Sequence, residues 1–354
     1  MQKIKEILPG TIRIKVKDLK PYKKTKNSWV KINTEINDTI SVVELFKAHD
    51  KFDVLIDTKN PMFLKGQLSP DEKCQGARIN ILPDGKRLDK AYSLFAKHLV
   101  VHDESSDNHW DAMYQNPGGT FAYCYSLEKK DYYLKKKYRM VDEFEKIYPE
   151  LYKKVMKALN NKKDFYALPM YTLLKTYMRV GNEIYFKAHG HKGLTTLTKK
   201  NIKINGNNVT FKYLAKDGVP RNITETFPSS YIKRMEEKLS KLKNNAFVFV
   251  HENGHPLHDV HFKEAFRKYC GKEFYPHIVR SYYATKKTKE FLKNHDKITK
   301  EEMRDFFSHL ATKLGHKKFD KKRREWTESY TVTVNHYIMP ELVEKIKSRI
   351  IKNR

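Results

Sequence analysis

The chain has 354 residues, 71 of them Lys or Arg and 42 Asp or Glu, for a formal charge of +29 at neutral pH. An excess that large favours a polyanionic partner, nucleic acid above all, because each neutralised phosphate releases condensed counterions. Three scattered cysteines, Cys74, Cys124 and Cys270, have no C-x-x-C spacing; they argue against a disulfide framework or a cysteine zinc site and fit a reducing compartment.

Residues Met1–Glu6 carry no apolar core of signal-peptide length, and no apolar run approaches a membrane span. A soluble cytoplasmic protein associated with DNA is expected, or a nuclear or viral one if the source is eukaryotic or viral. From Thr11 to Leu19, Ile12, Ile14 and Val16 alternate with Arg13, Lys15 and Lys17, which predicts a half-buried strand with a cationic outer face. Apolar runs follow at Ile40–Phe46 and Phe52–Ile56, and Arg78–Leu82 leads into the Pro83-Asp84-Gly85 turn. These segments predict a small β-rich N-terminal domain, residues 1–118, whose basic strand faces either lie along a DNA backbone or face solvent. The polar stretch His102–Asn108 and the turn Asn116-Pro117-Gly118-Gly119 mark its end.

The remaining chain, 119–354, reads as a larger, mostly helical domain with one small antiparallel sheet, so the fold class is α+β. Lys129–Arg139 carries six basic residues, among them Lys135, Lys136 and Arg139, interleaved with Tyr132, Tyr133 and Tyr138. That is a solvated helix face or, in so basic a chain, a phosphate-facing one. Met140, Phe144, Ile147 and Leu151 recur at helical spacing, and Pro149 is expected in the first turn of a second helix. The stripe Met170, Leu173, Leu174 and Tyr177 delivers Arg179-Val180-Gly181-Asn182-Glu183. Strands are expected at Asn201–Ile204, Val209–Tyr213 and Arg221–Glu225, with Lys216 on the tip between the last two, and a further strand at Phe247–Val250. Ser229 can cap a helix carrying Ile232, Met235 and Leu239, and Pro276 opens one carrying His277 and Arg280. Thr299 and Glu302 form a capping box, and Gly315 ends that helix just before His316. A basic segment, Lys317–Arg324, then leads to Tyr337 at the mouth of a final helix bearing Leu342, Val343, Ile346 and Ile350.

Arg179, Lys216, Arg280, His316 and Tyr337 each have an ordinary explanation when taken singly: an ion-paired arginine, a solvated lysine, a histidine complementing a helix dipole. In this order they resemble the type IB DNA topoisomerases, especially the small viral and bacterial ones. The likeness rests on Arg179-Val180-Gly181-Asn182-Glu183, Gly193-Leu194-Thr195-Thr196-Leu197, Val209–Tyr213, Lys216-Asp217-Gly218, Arg280–Ala284, Leu314-Gly315-His316 and Tyr337-Ile338-x-Pro340, and covers roughly Phe121 to the end. It implies a nucleophilic Tyr337 forming a 3′-phosphotyrosyl link, with Arg179, Arg280 and His316 on the non-bridging oxygens and Lys216 as general acid. It also implies double-stranded DNA as substrate, strand rotation, no cofactor, no ATP and no obligatory metal, in a monomeric clamp.

Two positions depart from that pattern. His277 stands where the topoisomerases commonly have lysine; His277-Ile278-Val279-Arg280 is the spacing of the related tyrosine recombinases, which keeps site-specific strand exchange as an alternative and makes His277 a further DNA contact. Tyr337 lies 21 positions after His316, a long separation, and Tyr330 intervenes. Glu328 beside Tyr330 opposes a nucleophilic phenolate there, so Tyr337 is preferred. A third reading is a basic DNA binder without activity. His251, His255, His258 and His261 also have metal-ligand spacing, but Asn253-Gly254 and Pro256 keep them off one helical face.

Overall fold

The computed structural model describes residues 7–351, so the signal-peptide reading of Met1–Glu6 lies outside the described residues. The chain forms two compact units that divide between Lys136 and Lys137. In the first, β1 (Ile12–Ile14), β2 (Pro21–Lys24), β3 (Trp29–Lys31), α1 (Asn37–Ala48), β4 (Gln67–Leu68) and β5 (Cys74–Gln75) build an antiparallel sheet of order β3-β2-β1-β4-β5 with one helix. β6 (Ile79–Ile81) and β7 (Arg87–Tyr92) form a hairpin across the expected Pro-Asp-Gly turn. β8 (Lys97–Val101), β9 (Ala112–Gln115) and β10 (Phe121–Cys124) form a three-stranded sheet.

Three expectations for this unit change. Arg13 does not join a cationic outer face: it is 4% exposed, and its Nη2 donates to the Asp57 carboxylate at 2.5 Å and to the Leu64 carbonyl at 3.0 Å, because a buried charge needs a partner. The run Ile40–Phe46 lies in α1, where Thr39, Val42, Val43 and Phe46 are all buried at helical i, i+3, i+4, i+7 spacing. The turn Asn116–Gly119 is the tip of the β9–β10 hairpin, with Asn116 N–H donating to the Thr120 carbonyl at 2.8 Å. Pairing of β10 with β9 places residues 121–124 in the first unit, which extends to Lys136, inside the next helix, and not to 118.

That helix, α2 (Leu127–Ala158), runs through Pro149 without a break. Proline removes one donor, but Tyr138, Val141, Phe144, Leu151 and Val155 form a continuous buried stripe, and Phe144 makes edge contacts to Phe266, Phe274 and Tyr282. Tertiary burial on both sides of the proline outweighs one lost hydrogen bond. α3 (Ala167–Thr176), α4 (Glu183–His189) and the sheet β11 (Ile202–Asn205), β12 (Asn208–Leu214) and β13 (Pro220–Thr226) follow. The three strands lie where sequence alternation sets them, with Val209, Phe211, Tyr213 and Ile223 facing the core.

α5 (Ser229–Ser240) precedes Phe247–Val250, which makes only isolated bridges, Thr198 to Phe247 and Val250 to Pro256, and is not a strand. α6 (Asp259–Cys270), α7 (Ile278–Asn294) and α8 (Lys300–Leu314) come next. α8 starts with the expected capping box, Thr299 Oγ1 accepting from Glu302 N–H at 3.1 Å, and ends at Gly315 with φ 76°. The basic segment after it folds into a hairpin, β14 (Lys317–Asp320) and β15 (Glu325–Glu328). Tyr337 is the last residue of α9 (Thr331–Tyr337), not the mouth of the final helix; Pro340 opens that helix, α10 (Pro340–Ser348). Both pack with α7 and α8 around Leu310, Ile338, Val343 and Ile346. Among the described residues no helix is long and apolar enough to cross a membrane.

Candidate active site

The chain leaves α3 through Tyr177, in the left-handed region at φ 56°, and runs straight into Arg179. A second segment locks it there. Leu194 N–H donates to the Arg179 carbonyl at 2.8 Å and Thr195 N–H to the Val180 carbonyl at 2.7 Å. The approach is so close that a Cβ on Gly193 would lie 2.5 Å from Gly181 N and 2.7 Å from the Arg179 carbonyl oxygen, so only glycine fits. Asn182 then caps α4, its Oδ1 accepting from Ile184 and Tyr185 N–H at 2.9 and 3.1 Å. Glu183 pairs with Lys187 at 2.8 Å and with His255 at 3.1 Å. Arg179, Val180 and Gly181 are thus fixed by the crossing segment, while Asn182 and Glu183 start and anchor the helix that follows.

Arg280, in the first turn of α7, is 2% exposed. Its Nη1 donates to the Tyr177 carbonyl at 2.5 Å, and its Nη2 to the Leu314 carbonyl at 2.9 Å and to His316 Nε2 at 3.0 Å. Among the described residues its Nε is buried without a partner. Burial is the main reason its pKa falls to about 10, with Arg179 opposing the charge as well; at neutral pH it remains a cation. No carboxylate pairs with Arg280 or Arg179 among the described residues. Two converging cations held by neutral groups are costly unless an anion completes the site.

His316 follows the Gly315 stop. A guanidinium has only donors, so His316 Nε2 is the acceptor from Arg280, and Nδ1–H must donate to Thr333 Oγ1, 2.7 Å away. Burial first, then Arg280, Arg179, Arg221 and His336, push its pKa down to about 3, leaving it neutral. The same logic makes His277 Nε2 an acceptor from Arg179 Nη1 at 2.8 Å. Dehydration of the ring first, then the charges of Arg179, Arg280, Lys137 and Lys216, lower the His277 pKa.

Tyr337 joins these groups. It is 5% exposed, and its hydroxyl accepts from Arg179 Nη2 at 2.9 Å. The Arg280 guanidinium carbon lies 5.1 Å from its ring centroid, and the His316 and His277 rings lie 4.9 and 6.3 Å away. Tyr330 instead packs on Phe307, centroids 5.8 Å apart. Exposed Lys216, in the turn between β12 and β13, lines a small cavity of about 120 Å³ together with Arg179, Arg280 and His316. A larger cleft of about 660 Å³ shares Lys192, Tyr213, Arg221 and Lys317 with that cavity and adds Lys200 and Lys212; among the described residues no acidic one lines it.

A model of the eukaryotic DNA topoisomerase I catalytic core matches residues 128–338. The chain belongs to this topoisomerase I family. Among solved structures, the XerH site-specific recombinase bound to difH substrate, a pre-cleavage complex, is similar at 18% identity and a TM-score of 0.33, over 49% of this chain and 50% of its own. The XerH complex with palindromic difH substrate, post-cleavage, gives the same identity and TM-score over 49% of each chain. The chain thus spans about half the length of these recombinase chains. No curated protein matches it.

Of the residues singled out from sequence for this family's chemistry, Arg179, Arg280, His316, His277 and Tyr337 meet in one cluster, and Lys216 faces its cavity. The basic residues of α2 divide. Lys135 pairs with Asp131 at 2.6 Å, Lys136 lies 6.0 Å from the Tyr132 ring centroid, and Arg139 is exposed. Lys137, not singled out, is half-buried with its ammonium 5.6 Å from the Tyr337 ring centroid. Its signal was legible: Lys137, Val141, Phe144 and Leu151 fall on one helical stripe, an apolar position occupied by lysine. Of the four clustered histidines, His255 pairs with Glu183 and His261 accepts from His258 N–H at 2.9 Å. Among the described residues no group of three His, Cys, Asp or Glu side chains is arranged to hold a metal.

Proposed function

We propose that this protein is a type IB DNA topoisomerase, relaxing supercoiled duplex DNA through a transient single-strand break and a 3′-phosphotyrosyl intermediate. The observation that carries this reading is the Tyr337 hydroxyl held 2.9 Å from Arg179 Nη2, in a cluster with Arg280 and His316. A scissile phosphate entering the cavity, which Asp217 also lines, meets two guanidinium forks that pair with no carboxylate among the described residues. Their donors suit the non-bridging oxygens, where charge gathers in the transition state. Tyr337 Oη attacks phosphorus, giving its proton to solvent, while the bond to the 5′ oxygen breaks. That oxygen is a poor leaving group and takes a proton from Lys216, whose turn lets it reach into the site.

His316 Nε2 carries no proton in the free enzyme. Donation to a phosphate oxygen therefore requires Arg280 to turn toward the phosphate and the imidazole proton to move to Nε2. Bond energy is kept in the tyrosyl link, so religation by the 5′ hydroxyl needs no ATP, and the fixed guanidinium charges serve where other nucleases use a divalent ion.

A tyrosine recombinase is the second reading, favoured by His277 at its His-x-x-Arg spacing and by its contact with Arg179. Incubation with supercoiled plasmid in EDTA without ATP separates the readings. Ladders of relaxed topoisomers support a topoisomerase. Strand exchange only between paired sites supports a recombinase, and a mobility shift without cutting sinks both.

A further inference from the structure

We propose that Lys137 and Tyr138 are positioning residues that clamp the backbone on both sides of Tyr337 and keep its hydroxyl on Arg179. The inference rests on Tyr337 being the nucleophile of the proposed reaction. α9 ends at Tyr337, and a helix end leaves carbonyls without intrahelical donors. The helical donor for the His336 carbonyl would be the N–H of residue 340, which is proline and has none. Lys137 Nζ donates to that carbonyl instead. The donor for the Ile338 carbonyl would be Leu342 N–H, which is turned to the Met339 carbonyl at 3.0 Å. Tyr138 Oη donates to Ile338 at 2.5 Å in its place. Thr285 Oγ1, from α7, reaches the carbonyl of Tyr337 itself at 3.3 Å.

Three successive carbonyls around the nucleophile are thus held by side chains from other helices, and two of the three come from adjacent residues of α2. The Lys137 ammonium also lies 5.1 Å from the Tyr138 ring centroid and 5.6 Å from that of Tyr337, so one cation restrains the backbone and the attacking ring together. Lys137 has no carboxylate partner among the described residues. Burial lowers its pKa to about 8, so it is still largely an ammonium at neutral pH. Half-burying an unpaired lysine on an apolar stripe is unfavourable for stability alone, and what it secures is the setting of Tyr337. A nucleophile displaced by about 1 Å loses on the order of a hundredfold in rate.

The test uses the full chain and a nicked or suicide duplex that traps the covalent adduct in a single turnover. Lys137→Met is expected to slow adduct formation at saturating DNA about tenfold or more, and Tyr138→Phe, which deletes one hydroxyl, about fivefold, as befits loss of one hydrogen bond each. Lys137→Arg, which keeps donor and charge, is expected to stay within about threefold of wild type. DNA affinity, by titration at fixed salt, is expected to change less than about twofold, because no phosphate contact is lost. Hydrogen exchange of the amides at 336–342 is expected to quicken in Lys137→Met and Tyr138→Phe while exchange in β11–β13 is unchanged. Wild-type rates in both variants overturn the clamp, as does a rate loss matched by an equal loss of affinity. If the wild-type chain forms no adduct at all, the topoisomerase reading falls, and exchange at 336–342 still decides the clamp: faster in the variants supports it, unchanged overturns it.

Discussion

Gly193→Ala is a one-methyl perturbation that presses on the backbone of Arg179 without altering its guanidinium. The added Cβ would lie 2.5 and 2.6 Å from the backbone N and Cα of Gly181 and 2.7 Å from the Arg179 carbonyl oxygen. Carbon contacts relax at ~3.5 Å, so the two segments must part by about 1 Å. The three nearest atoms are all backbone, and none can swing away as a side chain would. The parting strains the bonds from Leu194 and Thr195 to the Arg179 and Val180 carbonyls, and overpacking of this kind costs ~1–3 kcal/mol. Arg179 moves with its backbone, and a misplacement near 1 Å corresponds to a rate loss on the order of a hundredfold. Gly206→Ala supplies the contrast. It also sits at positive φ, 56°, but nothing lies within 4 Å, so only backbone strain of ~1 kcal/mol is expected, with no effect on rate. Single-turnover cleavage of a suicide duplex, paired with chemical denaturation, measures both quantities. Wild-type cleavage by Gly193→Ala would refute the claim that this backbone crossing aims Arg179.

Other outcomes follow from the same geometry. Tyr337→Phe should abolish the covalent adduct on denaturing gels while Tyr330→Phe retains it; the reverse pattern sinks the nucleophile assignment. His316 has a folded pKa of about 3 against an ordinary 6.5, so the unfolded chain binds the extra proton between those values, and stability falls as pH drops through that window. Melting temperatures from pH 7 to 4 should therefore decline more steeply in wild type than in His316→Gln. Lys200, Lys212 and Lys317 line the cationic cleft without carboxylate partners among the described residues. Their combined change to Gln should reduce the slope of log affinity against log salt by up to about 0.9 per lysine if duplex phosphates occupy the cleft; an unchanged slope removes the cleft from the DNA path.

How much of this could be read beforehand depended on the range of the cause. The strands around Phe211 and Tyr213, the Thr299–Glu302 box and the Gly315 stop were legible because alternation, capping and left-handed backbone are set by residues a few positions apart. Arg13 was misplaced because the alternation pattern cannot register Asp57, 44 positions away in sequence and its buried partner. Phe247–Val250 has strand composition but finds no ladder, and pairing partners are not a local property. The turn at Asn116–Gly119 was recognisable as a turn, yet whether it closes a hairpin or separates domains depends on what β10 pairs with.

The candidate site divides in the same way. Residue order and its likeness to a known family singled out Arg179, Lys216, Arg280, His316 and Tyr337, and the fold brings Arg179, Arg280, His316 and Tyr337 together with Lys216 on the adjoining cavity. Their protonation and aim came only with the fold. Arg280 is a cation lowered by burial, and His277 and His316 are neutral acceptors because guanidinium donors face them. Tyr337 ends one helix under the hold of Lys137, Tyr138 and Thr285. Side-chain chemistry is written residue by residue, whereas desolvation, hydrogen-bond direction and the separation of like charges exist only once distant segments are packed together.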